Sequence, residues 1–211
     1  MFRKKVYLLL FLFPLLFSCR QNEAPKKTND VIDSLQSATI NEYAPRDQSP
    51  MDMSYYPLDY PVQKMNGTDS TGPVARIIYS RPHKKGRNIF GDKPESLCQY
   101  GKEWRLGANE ATELELFENV NISGKNVSRG RYIVYCIPFA DKWTIIFNTN
   151  LFTWGLQRDH SKDIFKVDIP VSKQIPALED FTMVFISTPG GADLLMAWDD
   201  VKASLPIDFS K

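Results

Sequence analysis

The chain has 211 residues, with 26 basic and 25 acidic side chains, a net charge of +1, three cysteines and two histidines. So even a charge balance provides no electrostatic footprint for nucleic acid and no polybasic surface for membranes, and so few Cys and His residues make no zinc spacing. A soluble protein module is what this composition allows.

The chain opens on Arg3, Lys4 and Lys5, and an apolar run over 6–17 follows, interrupted by Pro14. It is shorter than the roughly 20 residues of a membrane-spanning helix and ends in Leu16-Phe17-Ser18-Cys19 instead of a basic stop. This resembles a bacterial lipobox. We expect 1–18 to be a lipoprotein signal peptide and Cys19 to be the lipidated first residue of the mature chain. Arg20 stands where an inner-membrane retention signal usually carries aspartate, so the expected location is the outer membrane facing the periplasm, with surface exposure as the alternative. Loss of Arg3, Lys4 and Lys5 leaves 23 basic against 25 acidic residues, a net charge of −2.

Residues 19–48 are polar and poor in apolar side chains, and are read as a flexible tether. Met, Tyr and Pro become dense over 49–60, so a single domain is expected over 49–211. Short runs rich in Val, Ile, Phe, Tyr and Thr predict strands over 74–80, 112–120, 131–138, 143–148, 163–170 and 181–187. Glu113 and Glu115 alternate with Leu114 and Leu116, the period of a strand with one wet face. Gly124 marks a hairpin turn, Ala140-Asp141-Lys142 another, and Gly190-Gly191 a third. Residues 191–205 read either as strand or as a short helix, with strand favoured for 193–198. The expected fold is all-β: one antiparallel β-sandwich with long polar loops and few short helices. Cys98 and Cys136 either pair or stand as separate small buried residues.

Charged and aromatic residues gather among glycines between Tyr79 and Glu113. Two blocks there, with Tyr79-Ser80-Arg81-Pro82, Lys85-Gly86-Arg87 and Ile89-Phe90-Gly91 in the first, and Tyr100-Gly101, Trp104-Arg105 and Gly107-Ala108-Asn109-Glu110-Ala111-Thr112 in the second, resemble an uncharacterised bacterial lipoprotein family, domain of unknown function twenty-nine eleven. The resemblance continues through Gly130-Arg131-Tyr132, Ile137-Pro138, Trp143 to Asn148 and Trp154-Gly155. Arg131 departs from it, since the family more often carries threonine there. It implies the domain boundaries and the choice of site, and carries no activity with it.

Loops on a rigid sheet are where binding concentrates. The candidate ligand-binding residues are Arg81, His83, Lys85, Arg87, Trp104, Arg105, Asn109 and Glu110. A guanidinium fork grips carboxylate, phosphate or sulfate, and the competing reading is that these arginines brace the loops by pairing with Glu103, Glu110 or Glu113. Trp104 or Trp154 can stack on a sugar, or serve as a core anchor; Trp143 is assigned to the core.

Three functional readings follow. The first is an envelope binding module for an anionic or carbohydrate-like ligand, with Arg81, Arg87, Arg105 and Asn109 converging in one pocket. The second is an assembly lipoprotein docking another envelope protein through Tyr55, Tyr56 and Tyr60. The third, a hydrolase using His83 with Glu110, or Glu103 with Glu110, needs geometry that sequence spacing does not establish. No cofactor or metal is expected, and the partners are a membrane through the lipid, a glycan or small anion, or an envelope protein, and no nucleic acid.

Overall fold

A computed structural model describes residues 47–68 and 71–209. The signal peptide, Cys19 and nearly all of the tether lie outside the described residues. Among the described residues no helix is long and apolar enough to cross a membrane.

The described chain is mostly β, with an antiparallel main sheet and a small parallel pair. In chain order come β1 (Met51–Tyr56), the short helix α1 (Tyr60–Met65), β2 (Ala75–Ser80), β3 (Phe90–Gly91), β4 (Cys98–Gln99), β5 (Thr112–Leu116), β6 (Val120–Ile122), β7 (Lys125–Val127), β8 (Gly130–Pro138), β9 (Lys142–Asn148), β10 (Asp163–Thr188) and β11 (Gly191–Asp208). Nine strands form one sheet in the order β1-β2-β5-β8-β9-β10-β11-β6-β7. Within it β10 serves two layers, since Asp163–Pro170 pair with β9 while Val171–Thr188 pair with β11. The sheet therefore doubles over on itself. Tyr79 of β2 meets Phe181 of β10 edge-on at 5.5 Å, and its hydroxyl accepts a hydrogen bond from Met183 N at 3.0 Å.

The alternation in β5 is as its sequence requires: Thr112, Leu114 and Leu116 are buried, and Glu113 and Glu115 face outward. Across the ladder Arg131 of β8 grips Glu113 through Nε at 2.8 Å and Nη2 at 2.5 Å, while Arg76 of β2 pairs with Glu115. Arg131 is thus a cross-strand partner on the outer face. The β6–β7 hairpin turns at Ser123-Gly124, both with positive φ, the geometry of a type I′ turn.

The two runs expected over 163–170 and 181–187 are halves of β10, joined across a stretch where the β10–β11 register shifts twice, between Lys173 and Thr182. Residues 193–198 are strand, and the strand continues unbroken to Asp208 because Asp199, at φ 54, absorbs the irregularity as a bulge. β1 carried no strand signal, being an edge strand whose Met-Asp-Met-Ser start has little β propensity. Cys98 and Cys136 are both free and buried, and burial raises both thiol pKa values.

An aromatic cluster fills the end of the sandwich beneath the 81–111 excursion. Trp104 stacks on Trp198 at 5.9 Å and meets Trp143 edge-on at 5.7 Å, with Phe90 and Phe181 closing the group.

Candidate functional site

Residues 81–111 leave β2, cross the end of the sandwich and return to β5. Main-chain bonds stitch the segment down: Trp104 N and O exchange hydrogen bonds with Cys136 O and N at 2.7 and 2.8 Å, and Lys84 N donates to Glu179 O at 2.7 Å. Gly107 makes the return possible. Its φ is +155°, and a Cβ there would lie 2.7 Å from Ser80 O, so no side chain fits. A second excursion, 149–162, runs between β9 and β10 and is docked at Gly155, whose φ of +87° disfavours any other residue and where a Cβ would crowd Ala111 Cα at 3.0 Å.

Between these excursions lies a cleft of about 550 Å³. Its charged lining is Arg87, Lys102, Arg105 and Arg158, opposed by Glu103 alone, an excess of three positive charges. Trp104 and Trp198 contribute to its wall from the core.

How each cation is held decides what it can do. Arg105 donates to the main-chain oxygens of Asn109 and, at 3.3 Å, Trp154. Arg87 donates from Nε to Lys84 O at 3.0 Å and from Nη2 to His83 O. Carbonyls orient a guanidinium without neutralising it. Burial, with the positive charge of Arg158 beside it, pushes the Arg105 guanidinium below its ordinary pKa, the mark of a cation short of counter-charge. Arg158 has a side chain only 6 % exposed, pairs with Glu103 at 2.9 Å, lies 4.5 Å over the Tyr135 ring, and leaves its buried Nε without a hydrogen-bond partner among the described residues. Glu103 is itself shared, with His160 Nδ1 at 3.7 Å.

Of the eight residues proposed from sequence, Arg87, Trp104 and Arg105 line this cleft and the other five do not. Arg81 pairs with Asp52 at 3.1 Å and Asp180 at 4.0 Å, on the side of the fold where β1 and β10 approach. His83 Nδ1 bonds Asp180, and Lys85 donates from N to Glu179 Oε1 and from Nζ to Gln48 Oε1. Asn109, at φ 55, donates from Nδ2 to Asp47 at 2.9 Å and to Ser49 O at 3.3 Å, fastening the segment before β1. Glu110 is exposed. The expected convergence of Arg81, Arg87, Arg105 and Asn109 thus brings only Arg87 and Arg105 together. His83 bonds Asp180 and Glu103 pairs with Arg158, while Glu110, the carboxylate that both hydrolase arrangements call for, does not line the cleft.

Trp104 is a core anchor whose Nε1 donates to Gly107 O at 3.2 Å, and Trp143 is fully buried, while Trp154 is exposed. Tyr56 is packed between Phe209 and Phe185 with its hydroxyl bonded to Gly191 O, and Tyr55 lies against Tyr60, so these tyrosines are half-buried. Arg158 was missed because it sits in the polar run 157–161, which has no strand period and no motif. The signal that pointed to it was its place three residues after Gly155, in the block Trp154-Gly155.

A family model described as protein of unknown function (DUF2911) matches residues 61–207. The chain belongs to this family. The match takes in the cleft lining from Pro82 to Trp198, with Ser49 outside it. Comparison with curated proteins and with solved structures gave no match.

Proposed function

We propose that this DUF2911 protein is a binding module of the bacterial envelope, anchored at the outer membrane through lipidated Cys19, and that it holds a small anionic ligand in the cleft between its two excursions. The observation that carries the reading is Arg158: a side chain only 6 % exposed, paired with Glu103 and with no hydrogen-bond partner for its Nε among the described residues, beside a second, part-buried guanidinium, Arg105. Two guanidinium groups against the one carboxylate of Glu103 leave an unbalanced positive charge that a further anion offsets, and planar forks suit carboxylate, phosphate or sulfate. An uncharged sugar is a poorer fit, because Trp104 is turned into the core and offers no open ring face.

The test is calorimetric titration of the purified chain with inorganic phosphate, sulfate and citrate, repeated on Arg105→Ala and Arg158→Ala, with Arg81→Ala as the control. Saturable binding lost in the first two variants and kept in the third supports the reading. Absence of binding by any anion at low salt refutes it.

A docking role has its own support in one feature. Met51, Met53, Leu58, Val62 and Met65 are exposed along edge strand β1 and α1, an apolar strip beside an unpaired strand edge.

A further inference from the structure

The 149–162 excursion carries a feature that anion binding alone does not use. Phe152 is 91 % exposed, Trp154 59 % and Leu156 67 %, three large apolar side chains that alternate with Thr153 and Gly155. The segment is fastened while they stay outside. Gly155 is pressed on Ala111, Arg105 holds Trp154 O, and Thr153 Oγ1 donates to Gln157 O at 2.8 Å. Phe152 sits at φ 63, a left-handed conformation that a bulky residue rarely adopts, with the Arg131 guanidinium 5.6 Å from its ring.

Leu151, Phe152, Trp154 and Leu156 line a hollow of about 500 Å³, and Leu156 also lines the cationic cleft. The two concavities therefore meet at one side chain. Arg105 ties them as well, lining the cleft and bonding the main chain of Trp154. One side of this continuous surface is cationic and the other is apolar.

We propose that the ligand is an anionic amphiphile: its charged head lies among Arg87, Arg105 and Arg158, and its hydrocarbon part lies over Leu156 onto Trp154 and Phe152. This rests on the anion-binding reading above and adds the apolar half of the ligand. A phosphate or carboxylate head attached to an acyl or alkyl chain has the required chemistry, whether it comes from a lipid or from a soluble metabolite.

The test compares monododecyl phosphate, kept below its micelle concentration, with inorganic phosphate and with uncharged dodecyl maltoside, by titration of the full chain and by tryptophan emission. The proposal expects monododecyl phosphate to bind about a hundredfold more tightly than phosphate, the gain from burying about four methylenes. It expects a blue shift in emission that Trp154→Phe removes. Phe152→Ser, at a residue outside the cationic cleft, should lose most of the gain of the alkyl chain while leaving phosphate binding unchanged, and Arg105→Ala should weaken both. Equal affinity for phosphate and monododecyl phosphate overturns the amphiphile and leaves the anion site standing. Equal affinity for dodecyl maltoside and monododecyl phosphate overturns both, as does no binding at all. Capture by phosphatidylglycerol vesicles without binding of the monomeric amphiphile also overturns the proposal, in favour of a loop that meets a membrane surface.

Discussion

Two groups of basic residues lie on either side of the 81–111 excursion and have opposite fates. Arg81, His83 and Lys84 each meet a carboxylate, from Asp52, Asp180 and Asp199, all of them remote in sequence. Arg87 and Arg105 meet main-chain oxygens, and Arg158 shares Glu103 with His160. A carboxylate orients and neutralises a cation; a carbonyl only orients it. Local positive charge in a sequence therefore marks both groups equally, while only the second, with Arg87, Arg105 and Arg158 against Glu103, keeps a net positive charge that attracts a ligand.

The sharpest way to break this comparison is to remove one cation from each group. Arg158→Ala is expected to lower affinity for a small anion on the order of a hundredfold, because it deletes a buried charge that contacts the ligand. Arg81→Ala should leave that affinity within about twofold, as no ligand lies near it. Equal losses in titration calorimetry would mean that the neutralised group also binds.

Next in size is an alkaline effect in the neutralised group. The Tyr79 hydroxyl bonds Asp52, the partner of Arg81, at 3.2 Å, and burial pushes its pKa up to about 12 from an ordinary 10. The unfolded chain releases this proton first, so the stability held by neutral Tyr79 is complete below pH 10 and is lost as pH rises through about 12. Unfolding by urea should show a fall of about 2 kcal/mol across that interval. Tyr79→Phe should flatten it; burial raises Tyr135 too, so some slope remains.

Smaller effects sharpen the contrast. Asp180→Ala, which frees His83 and leaves Arg81 with Asp52 alone, should cost about 1 kcal/mol of stability by urea unfolding, since both pairs are about one-third exposed. Glu103→Gln removes the only acid lining the cleft and should tighten anion binding about threefold, while Glu110→Gln, on an exposed residue away from the cleft, should not change it.

Much of the fold was legible because a strand declares itself locally. β5, β8, β9 and both halves of β10 appear in the runs of Val, Ile, Phe and Tyr, and the Ser123-Gly124 turn in its glycine. β1 did not, since an edge strand with one partner needs little apolar alternation, and its pairing with β2 is a property of the sheet. The candidate site was legible only as a region. Gly107 and Gly155 stood in the recognised blocks for a reason the structure makes plain: each touches backbone where a Cβ would collide.

Sequence alone determined the fold class, the membership of the family and the stretch of chain where loops would gather, because apolar period, turn residues and motif spacing are local properties of neighbouring residues. Tertiary structure decided which cations meet carboxylates and in what ratio, since Asp52 lies 29 residues from Arg81 and Arg158 lies 55 from Glu103. It also decided that Trp104 turns inward while Trp154 turns outward. Pairing between distant strands sets those distances, and a group of cations keeps charge for a ligand where folding brings it fewer carboxylates than guanidinium groups.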